Sequence, residues 1–545
     1  MEYKVIDGKG IIPDGTTEIG KSAFKGCTSL KSIVIPGIVT VIKEAAFNGC
    51  TSLQSIEFSD GVTMIESKAF KGCTSLQSIV IPDSITVIED EAFSGCTGLQ
   101  SIEFSDGVTK IESKAFSGCT GLQSIEFHDG VTKIGFGAFS GCTSLQSIVI
   151  PNSVTEIGFG EFSDCTSLQS IVIPNSVTEI GGEAFEGCNN LTSIIVSKNN
   201  PWYKSTNNCI LTEDDEELIL CRNHNIPDGV IKISEAAFKG WTSLQSIAFP
   251  DSVTEIGGEA FEGCTGLQSI EFTDSVTKIG KSAFKDCTSL QSIEIPDSVT
   301  KIESQAFEGC TSLQSIEIPN SATKIESQTF EGCTSLQSIE IPNSVTEIGE
   351  AAFKDCTNLQ SIVIPDSVTK IDSTAFIDCT NLSSIIVSKN NSKYKSTNNC
   401  LLTKNGKELI LCRNHNIPDG VTMIGDFASM GCTSLQSIVI PNSVTEIVGW
   451  AFSDCTSLQS IVIPDSVKYI GDGAFYGCTS LQSITITTQE KEPALSHKRI
   501  EYLLQALPTY SKAISLSVPI GCGYAYRHYP AFEGKFKTIL ADIDV

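Results

Sequence analysis

The stretch LQSIEIPDSVTKIESQAFEGCTS, Leu290–Ser312, carries one full period of a pattern that runs through most of the chain. Leu290–Ile295 alternates apolar and polar side chains, which is typical of a half-buried β-strand. Pro296 ends this strand because it has no N–H to donate to a neighbouring strand. The letters SVTKI predict a second short extended piece, and SQAFEGC predicts a single helical turn capped by Ser304.

The pattern repeats with a period of 23 residues in three blocks, and Trp241 takes the cysteine station at the head of the second block, which makes 18 coils. One coil of this length cannot bury its apolar residues alone, whereas stacked coils bury each station against its copy above and below. We expect a mainly β repeat solenoid with a parallel sheet on one face and short helical turns opposite. The cysteines that mark the period are Cys27, Cys50, Cys73, Cys96, Cys119, Cys142, Cys165, Cys188, Cys264, Cys287, Cys310, Cys333, Cys356, Cys379, Cys432, Cys455 and Cys478.

Two similar segments, 191 residues apart, interrupt the rhythm: Ser197–Val230 and Ser388–Val421. Asn405-Gly406 stands between two apolar runs of the second segment, which is a strong signal for a β-hairpin. We therefore expect two hairpin insertions that leave the register of the stack intact. The predicted organisation is repeat block 1 (1–196), hairpin insertion 1 (197–225), repeat block 2 (226–387), hairpin insertion 2 (388–416), repeat block 3 (417–487) and a C-terminal capping segment (488–545).

The unit IPDSVTKIESQAFEGCTSLQSIE, residues 295–317, closely resembles the leucine-rich repeat of the BspA-like class, also called the TpLRR type, which is common in bacterial surface proteins. The resemblance covers nearly the whole chain, through its Ile-Pro, Val-x-x-Ile, Ala-Phe and Gly-Cys steps. It implies a right-handed leucine-rich repeat superhelix. It also implies adhesion or ligand binding at a cell surface rather than catalysis.

The 17 cysteines of the repeat station should form a column of buried free thiols that pack as small apolar groups. Stacked in register, neighbouring cysteines would stand about one strand spacing apart, roughly 4.8 Å, whereas a disulfide needs β-carbons at about 3.8 Å. The replacement by Trp241 supports this interpretation, because a crosslink or a metal ligand would not tolerate an indole.

The cysteines of the interruptions have other options. Cys221 with His224, and Cys412 with His415, have a Cys-x-x-His spacing that can bind zinc, but no complete set of four ligands is evident. We therefore predict no metal and no cofactor, with these four residues as weak candidates.

The alternative for these cysteines is that they flank a hairpin packed on the solenoid. With a two-residue turn at Asn405-Gly406, Cys400 lies opposite Leu411 and not Cys412, so a disulfide across the hairpin requires a β-bulge.

The outward position between the two inward isoleucines of each strand is where the coils vary systematically, and it is the predicted binding surface. Apolar side chains at this position lead into each interruption, and an acidic row lies between them; aromatic side chains stand just before each hairpin. The acidic row is either solvated or met by a basic partner or calcium, and the aromatics either pack the loop or form a ligand cage. The candidates are Val149, Val172, Ile195, Val363 and Ile386 (apolar), Glu271, Glu294, Glu317 and Glu340 (acidic), and Trp202, Tyr203 and Tyr394 (aromatic).

The composition excludes several classes of function. With 37 Lys and Arg against 64 Asp and Glu, the net charge of −27 would repel nucleic acid. No apolar run of the sequence is long enough to cross a bilayer. The five histidines belong to no catalytic motif, so we predict no catalytic residue and no enzyme activity.

The predicted function is therefore a secreted or surface protein that binds a protein or glycan of a host or neighbouring cell. The start of the sequence has no apolar leader, so we expect that a leader or anchor is absent from this chain. The alternative is a cytoplasmic or self-associating structural scaffold without an external ligand, and weak self-association is a further expectation.

Overall fold

The computed structural model describes residues 3–413, 416–487, 514–518, 536 and 538–541. The chain divides into two compact units, Met1–Val276 and Thr277–Val545. In each unit a regular coil contributes one strand to a parallel front ladder and a two-residue strand to a second ladder, the side ladder. The stacked parallel solenoid predicted from the period is thereby confirmed.

The front ladder is formed by the Ser-Ile-x-Ile segments, whose isoleucines face the core. In the first unit its strands are Ser32–Ile35, Ser55–Phe58, Ser78–Ile81, Ser101–Phe104, Ser124–Ile125, Ser147–Val149, Ser170–Ile173, Ser193–Val196, Ser246–Ala248 and Ser269–Glu271. In the second unit they are Ser292–Glu294, Ser315–Glu317, Ser338–Ile339, Ser361–Ile364, Ser384–Val387, Ser437–Val439, Ser460–Ile463, Ser483–Ile486, Ser515–Val518 and Thr538–Ala541.

The side ladder is formed by the residue pair that ends in the isoleucine of the Val-x-x-Ile step, as the second extended piece predicts. In the first unit its strands are Glu18–Ile19, Val41–Ile42, Met64–Ile65, Val87–Ile88, Lys110–Ile111, Lys133–Ile134, Glu156–Ile157, Glu179–Ile180, Lys232–Ile233 and Glu255–Ile256. In the second unit they are Lys278–Ile279, Lys301–Ile302, Lys324–Ile325, Glu347–Ile348, Lys370–Ile371, Met423–Ile424, Glu446–Ile447 and Tyr469–Ile470.

Identical stations stack directly on one another in the core. Ile33 pairs with Ile56, and Ile171 pairs with Ile194, each 23 residues further along the chain. The phenylalanine rings stack in the same way: in the first unit the centroids of Phe162 and its neighbour Phe185 are 5.7 Å apart with nearly parallel planes. A one-residue slip would turn every inward side chain outward, so the stacking fixes the register of the whole ladder.

The corner of each coil, which we expected to be a helical turn capped by Ser304, is not helical, and neither α- nor 3₁₀-helix occurs among the residues that the structure describes. Within the corner the N–H of Glu308 donates to the carbonyl of Gln305, over 3.1 Å. The N–H groups on either side, of Phe307 and Gly309, donate instead to the next coil, over 3.0 and 2.8 Å. A helix cannot form because alternate donors are bonded between coils.

The cysteine column is confirmed as free thiols, of which all but the first, Cys27, are buried. Buried thiols of the column also donate hydrogen bonds, which the sequence did not indicate: the Sγ of Cys50 lies 3.0 Å from the carbonyl oxygen of Phe24, and the Sγ of Cys188 lies 3.2 Å from that of Phe162. Burial raises the pKa of Cys142 to about 12, so this thiol stays protonated at neutral pH.

The two ends of the chain extend the front ladder. Lys4–Ile6 and Lys9–Ile11 form an antiparallel hairpin, and the second of these strands pairs in parallel with Ser32–Ile35. Near the other end, Ser515–Val518 and Thr538–Ala541 add two parallel strands. Most of the predicted capping segment lies outside the described residues.

Each interruption contains the predicted hairpin and one further strand before it, so that three antiparallel strands form a meander. Meander 1 consists of Tyr203–Thr206, Cys209–Thr212 and Glu217–Cys221, and meander 2 consists of Tyr394–Thr397, Cys400–Thr403 and Glu408–Cys412. In both meanders the first turn is a pair of asparagines with positive φ, such as 50° at Asn207 and 62° at Asn208. This conformation suits a tight two-residue turn between antiparallel strands.

Candidate functional site

The predicted apolar row lies on the open face of the front ladder. In the first unit Val149 pairs with Val172, and Val172 with Ile195, so the three side chains form one continuous row. Val149 is 62% exposed and Ile195 is 50% exposed, while Val172 is half-buried. In the second unit Val363 pairs with Ile386 in the same way. Each row ends at the last front strand before a meander.

The predicted acidic row is exposed throughout. In the second unit Glu294 pairs with Glu317, and Glu317 with Glu340, so three carboxylates follow one another along the ladder. Glu271 belongs to the first unit, where it pairs with Ala248. None of these four carboxylates forms an ion pair with another described residue.

The aromatic candidates differ from one another in their surroundings. The hydroxyl of Tyr394 accepts a hydrogen bond from the N–H of Ile371 at 3.0 Å, and the side chain is only 9% exposed. Tyr203 is half-buried, and its hydroxyl donates to the carbonyl of Thr178 at 3.3 Å. The two tyrosines therefore fasten the meanders to the coil before them. Trp202 is 55% exposed and stays available for contact.

The meanders are built into the stack rather than attached to it. The third strand of meander 1 pairs in parallel with the side ladder, Leu218 facing Ile233, which closes a coil of only 15 residues. In meander 2 Leu409 faces Ile424 in the same way. The predicted insertion is therefore partly a shortened coil, which explains how the register of the stack survives it.

A buried asparagine anchors the entry of each meander. The side-chain amide of Asn200 donates to the carbonyls of Pro174 and Val177 at 2.8 and 3.0 Å. Its oxygen accepts from the N–H groups of Trp202 and Tyr203, both at 2.9 Å. Asn391 makes the equivalent four bonds in meander 2.

An arginine continues the hydrogen-bonding pattern of the thiol column through each meander; Arg222 is buried and Arg413 is half-buried. Nη2 of Arg222 donates to the carbonyl of Phe185 at 2.9 Å, the group that a cysteine would bind in a regular coil. Nη2 of Arg413 donates to Phe376 at 2.7 Å. Burial lowers the pKa of Arg222 from its usual value, because it removes the guanidinium from water.

The cysteines of the meanders are paired with each other. Cys209 forms a disulfide with Cys221, and Cys400 forms one with Cys412. The expectation that Cys400 faces Leu411 is wrong, because a β-bulge after Leu401 shifts the register by one residue.

The zinc candidates do not come together. The sulfur atoms of Cys221 and Cys412 are held in disulfides, His224 is exposed, and His415 lies outside the described residues. Within the described part of the chain no three His, Cys, Asp or Glu side chains are grouped as a metal site would require. In that same part, no helix combines the length and apolar character needed to cross a membrane.

Stacked coils with in-register parallel strands, a phenylalanine column and an open sheet face define the class of leucine-rich-repeat solenoids. Residues 9–122, 87–208, 218–318, 300–404 and 408–498 match the family model described as the BspA type leucine rich repeat region. The chain belongs to the BspA type leucine rich repeat family.

Several solved structures are similar to this chain. A leucine rich cell surface protein from Faecalibacterium prausnitzii is 31% identical, with 62% of this chain and 92% of that chain covered and a TM-score of 0.46. A leucine-rich repeat protein from Bacteroides ovatus is also 31% identical, with coverages of 65% and 86% and a TM-score of 0.42. The pneumococcal vaccine antigen PcpA is 17% identical, with coverages of 99% and 96% and a TM-score of 0.39. No curated protein matches the sequence significantly.

Proposed function

We propose that this chain is a non-catalytic binding protein of the cell surface or extracellular space, which holds a partner macromolecule on its front ladder. The observation that carries the proposal is the apolar row from Val149 to Ile195. Two of its three side chains are at least half exposed, although the positions around them on the same face are serine and glutamine. A contiguous apolar surface with a polar rim is typical of interaction sites.

The chemistry of this row favours a protein partner over a glycan, which remains the other ligand class to be tested. Valine and isoleucine side chains offer no hydrogen-bonding group for sugar hydroxyls, whereas they fit apolar side chains of a protein. The exposed carboxylates from Glu294 to Glu340 would favour a partner with basic residues and disfavour nucleic acid.

The disulfides of the two meanders support an extracellular location. Disulfides form and persist in oxidising compartments, and they are rare where glutathione keeps thiols reduced. The thiol column is compatible with such a compartment, because burial keeps all but the first of these thiols away from oxidants.

The proposal is tested with the variant Val149→Glu, Ile195→Glu of the full chain. Glu103 and Glu126 occupy the same station in neighbouring coils, so the fold accepts this residue. Binding to immobilised extracellular matrix proteins, a glycan array and intact cells is compared with that of wild type. We expect affinity for the bound partner to fall by about tenfold or more.

The matched control is Val34→Glu, Val80→Glu, which adds the same two charges at valines of the same station that are 56% and 58% exposed and lie outside the row. This control should bind like wild type. If wild type binds no probe, or if the row variant binds as tightly as the control, the proposal is refuted.

A self-associating structural scaffold is the second candidate function. The observation that favours it is the opposite charge of the corresponding turns of the two meanders, which are acidic at 213–216 and basic at 404–407.

A further inference from the structure

The two meander segments are copies of each other that have diverged mainly in charge. Ser197–Val230 contains six acidic and three basic residues, whereas Ser388–Val421 contains two acidic and six basic residues. Seven of the 34 positions differ, and only one of these, Ile210 against Leu401, is buried in both copies. The other six are Pro201/Ser392, Trp202/Lys393, Glu213/Lys404, Asp214/Asn405, Asp215/Gly406 and Glu216/Lys407.

The turn between the second and third strands of meander 1, residues 213–216, is acidic and will be called tip 1. All four of its residues, Glu213, Asp214, Asp215 and Glu216, are exposed. Lys204 neutralises one of them, with its Nζ 2.7 Å from the carboxylate of Asp215. Three carboxylates therefore remain uncompensated at this turn.

The corresponding turn of meander 2, together with the residue beside it, is basic and will be called tip 2. Lys393, Lys404 and Lys407 are its exposed charged residues. The ammonium group of Lys404 donates to the carbonyl of Asn391 at 2.6 Å, and that of Lys407 donates to the carbonyl of Gly420 at 3.4 Å. None of the three lysines forms an ion pair with a described carboxylate. Their charge is thus open to a partner.

The charge of the tips is not required by the fold. Asp214 accepts hydrogen bonds from the hydroxyl of Thr212 and the N–H of Glu216, at 2.6 and 3.1 Å. Asn405 accepts the equivalent two bonds, from Thr403 and Lys407, at 2.9 and 2.8 Å. A neutral asparagine therefore accepts the same hydrogen bonds as the aspartate. Since the fold does not need the charge, the difference in charge can contribute to an interaction.

We propose that tip 1 of one molecule docks on tip 2 of a second copy of this chain. The uncompensated carboxylates of tip 1 would face the lysines of tip 2. A further pair of residues is complementary. Trp202 lies next to tip 1, and its carbonyl accepts a hydrogen bond from the N–H of Glu213. Its counterpart is Lys393 of tip 2, whose carbonyl accepts from the N–H of Lys404. An ammonium group over an indole ring is a favourable cation–π contact.

A second copy is the partner that the charges favour. In a chain of net charge −27, tip 2 is a local excess of positive charge, and tip 1 carries the opposite charge on a meander of the same strand pairing. Exposed charges act over roughly 10 Å at 0.1 M salt, so such a contact would be weak and salt-dependent. It does not depend on whether the front ladder binds an external partner.

The test uses three forms of the full chain in sedimentation velocity over a range of concentrations. Variant K carries Glu213→Lys and Glu216→Lys, so that both tips are basic. Variant E carries Lys404→Glu and Lys407→Glu, so that both tips are acidic. Each substitution introduces the residue of the other meander, so folding should be preserved, and circular dichroism checks this.

We expect wild type to self-associate, and variants K and E to dissociate at least tenfold more readily when each is alone. An equimolar mixture of K and E should associate again. Raising the salt from about 0.01 M to about 1 M, where the Debye length falls from roughly 30 to 3 Å, should remove the association.

The two variants shift the net charge in opposite directions, which separates this contact from general repulsion. If only overall charge mattered, variant K would associate more than wild type and variant E less. Such a dependence on overall charge would overturn the proposal. It would also be overturned if wild type were monomeric at every concentration at low salt, or if the mixture of K and E stayed monomeric.

Discussion

Apart from Ile210, which corresponds to Leu401, meander 1 and meander 2 share their buried residues and differ in exposed ones. Both have the anchoring asparagine, the asparagine turn, the disulfide and the arginine that bonds the phenylalanine carbonyl, and both close a shortened coil onto the side ladder. At the tips, acidic residues in one copy correspond to lysine, asparagine and glycine in the other. The shared residues therefore build the meander, whereas the residues that differ set the charge of its exposed turn.

The coils flanking the meanders differ in one further respect. Nζ of Lys239 lies 2.7 Å from Glu183, 2.8 Å from Glu259 and 3.6 Å from Glu262, and so ties the coil before meander 1 to the coils after it. At the positions 191 residues later, Met430, Thr374, Trp450 and Ser453 replace these four residues. We call the junction between the coils before and after a meander its seam. The seam at meander 2 therefore has no ion pairs that correspond to those of Lys239.

The largest expected effect is the loss of an anchoring asparagine. Asn200→Ala removes four hydrogen bonds from buried backbone groups, and we expect local stability to fall by roughly 3–5 kcal/mol. Asn391→Ala should have the same effect on meander 2. Hydrogen exchange of the meander amides measures both, with the exposed neighbour Asn199→Ala as control. A large loss of local stability in only one of the two variants would contradict the structural equivalence of the meanders.

A smaller effect is expected at the seam. Lys239→Met, which introduces the residue of the second seam, leaves three carboxylates close together, and we expect meander 1 to lose about 1–2 kcal/mol of local stability. Adding Glu183→Thr and Glu262→Ser, also residues of the second seam, should restore most of it. Hydrogen exchange at low and high salt measures the change, and an unchanged exchange rate in the single variant would contradict the role of Lys239.

The smallest effect is expected at the tip. Asp214→Asn should leave the unfolding transition unchanged at neutral pH, because Asn405 makes the same bonds in meander 2. The hydrogen bond from Thr212 lowers the pKa of Asp214, so its contribution is present above the unfolded-state pKa and is lost as the pH falls through the lowered one. Protection of the Glu216 amide, relative to its intrinsic exchange rate at each pH, should therefore fall in acid in wild type only. Equal acid sensitivity in the variant would refute this.

Much of the fold could be predicted from the period of 23 residues. The strand that ends at Pro296, the second extended piece and the free thiols all follow from stacking identical stations. The corner could not be predicted, because its local sequence suits a helical turn and the bonds that prevent one come from the next coil. The bulge after Leu401 could be predicted only as the condition for a disulfide across the hairpin.

The candidate site was predictable in part. Alternation along the strands placed Val149, Ile195 and the acidic row on the open face, where the structure has them. The roles of Asn200 and Arg222 could not be predicted, since they depend on contacts across the meander. The lysines of tip 2 were missed, although a comparison of charge between the two copies would have found them.

The central claim is that each meander is part of the stack and not a detachable insertion. Hydrogen exchange resolved along meander 1 of the intact chain tests this most directly. We predict that the amides of Ser234 and Cys221, which donate to Leu218 and Ala237, exchange as slowly as those of regular coils, while the amide of Asp214 exchanges fast. Uniformly fast exchange from Tyr203 to Cys221 would show a detachable insertion and contradict the account.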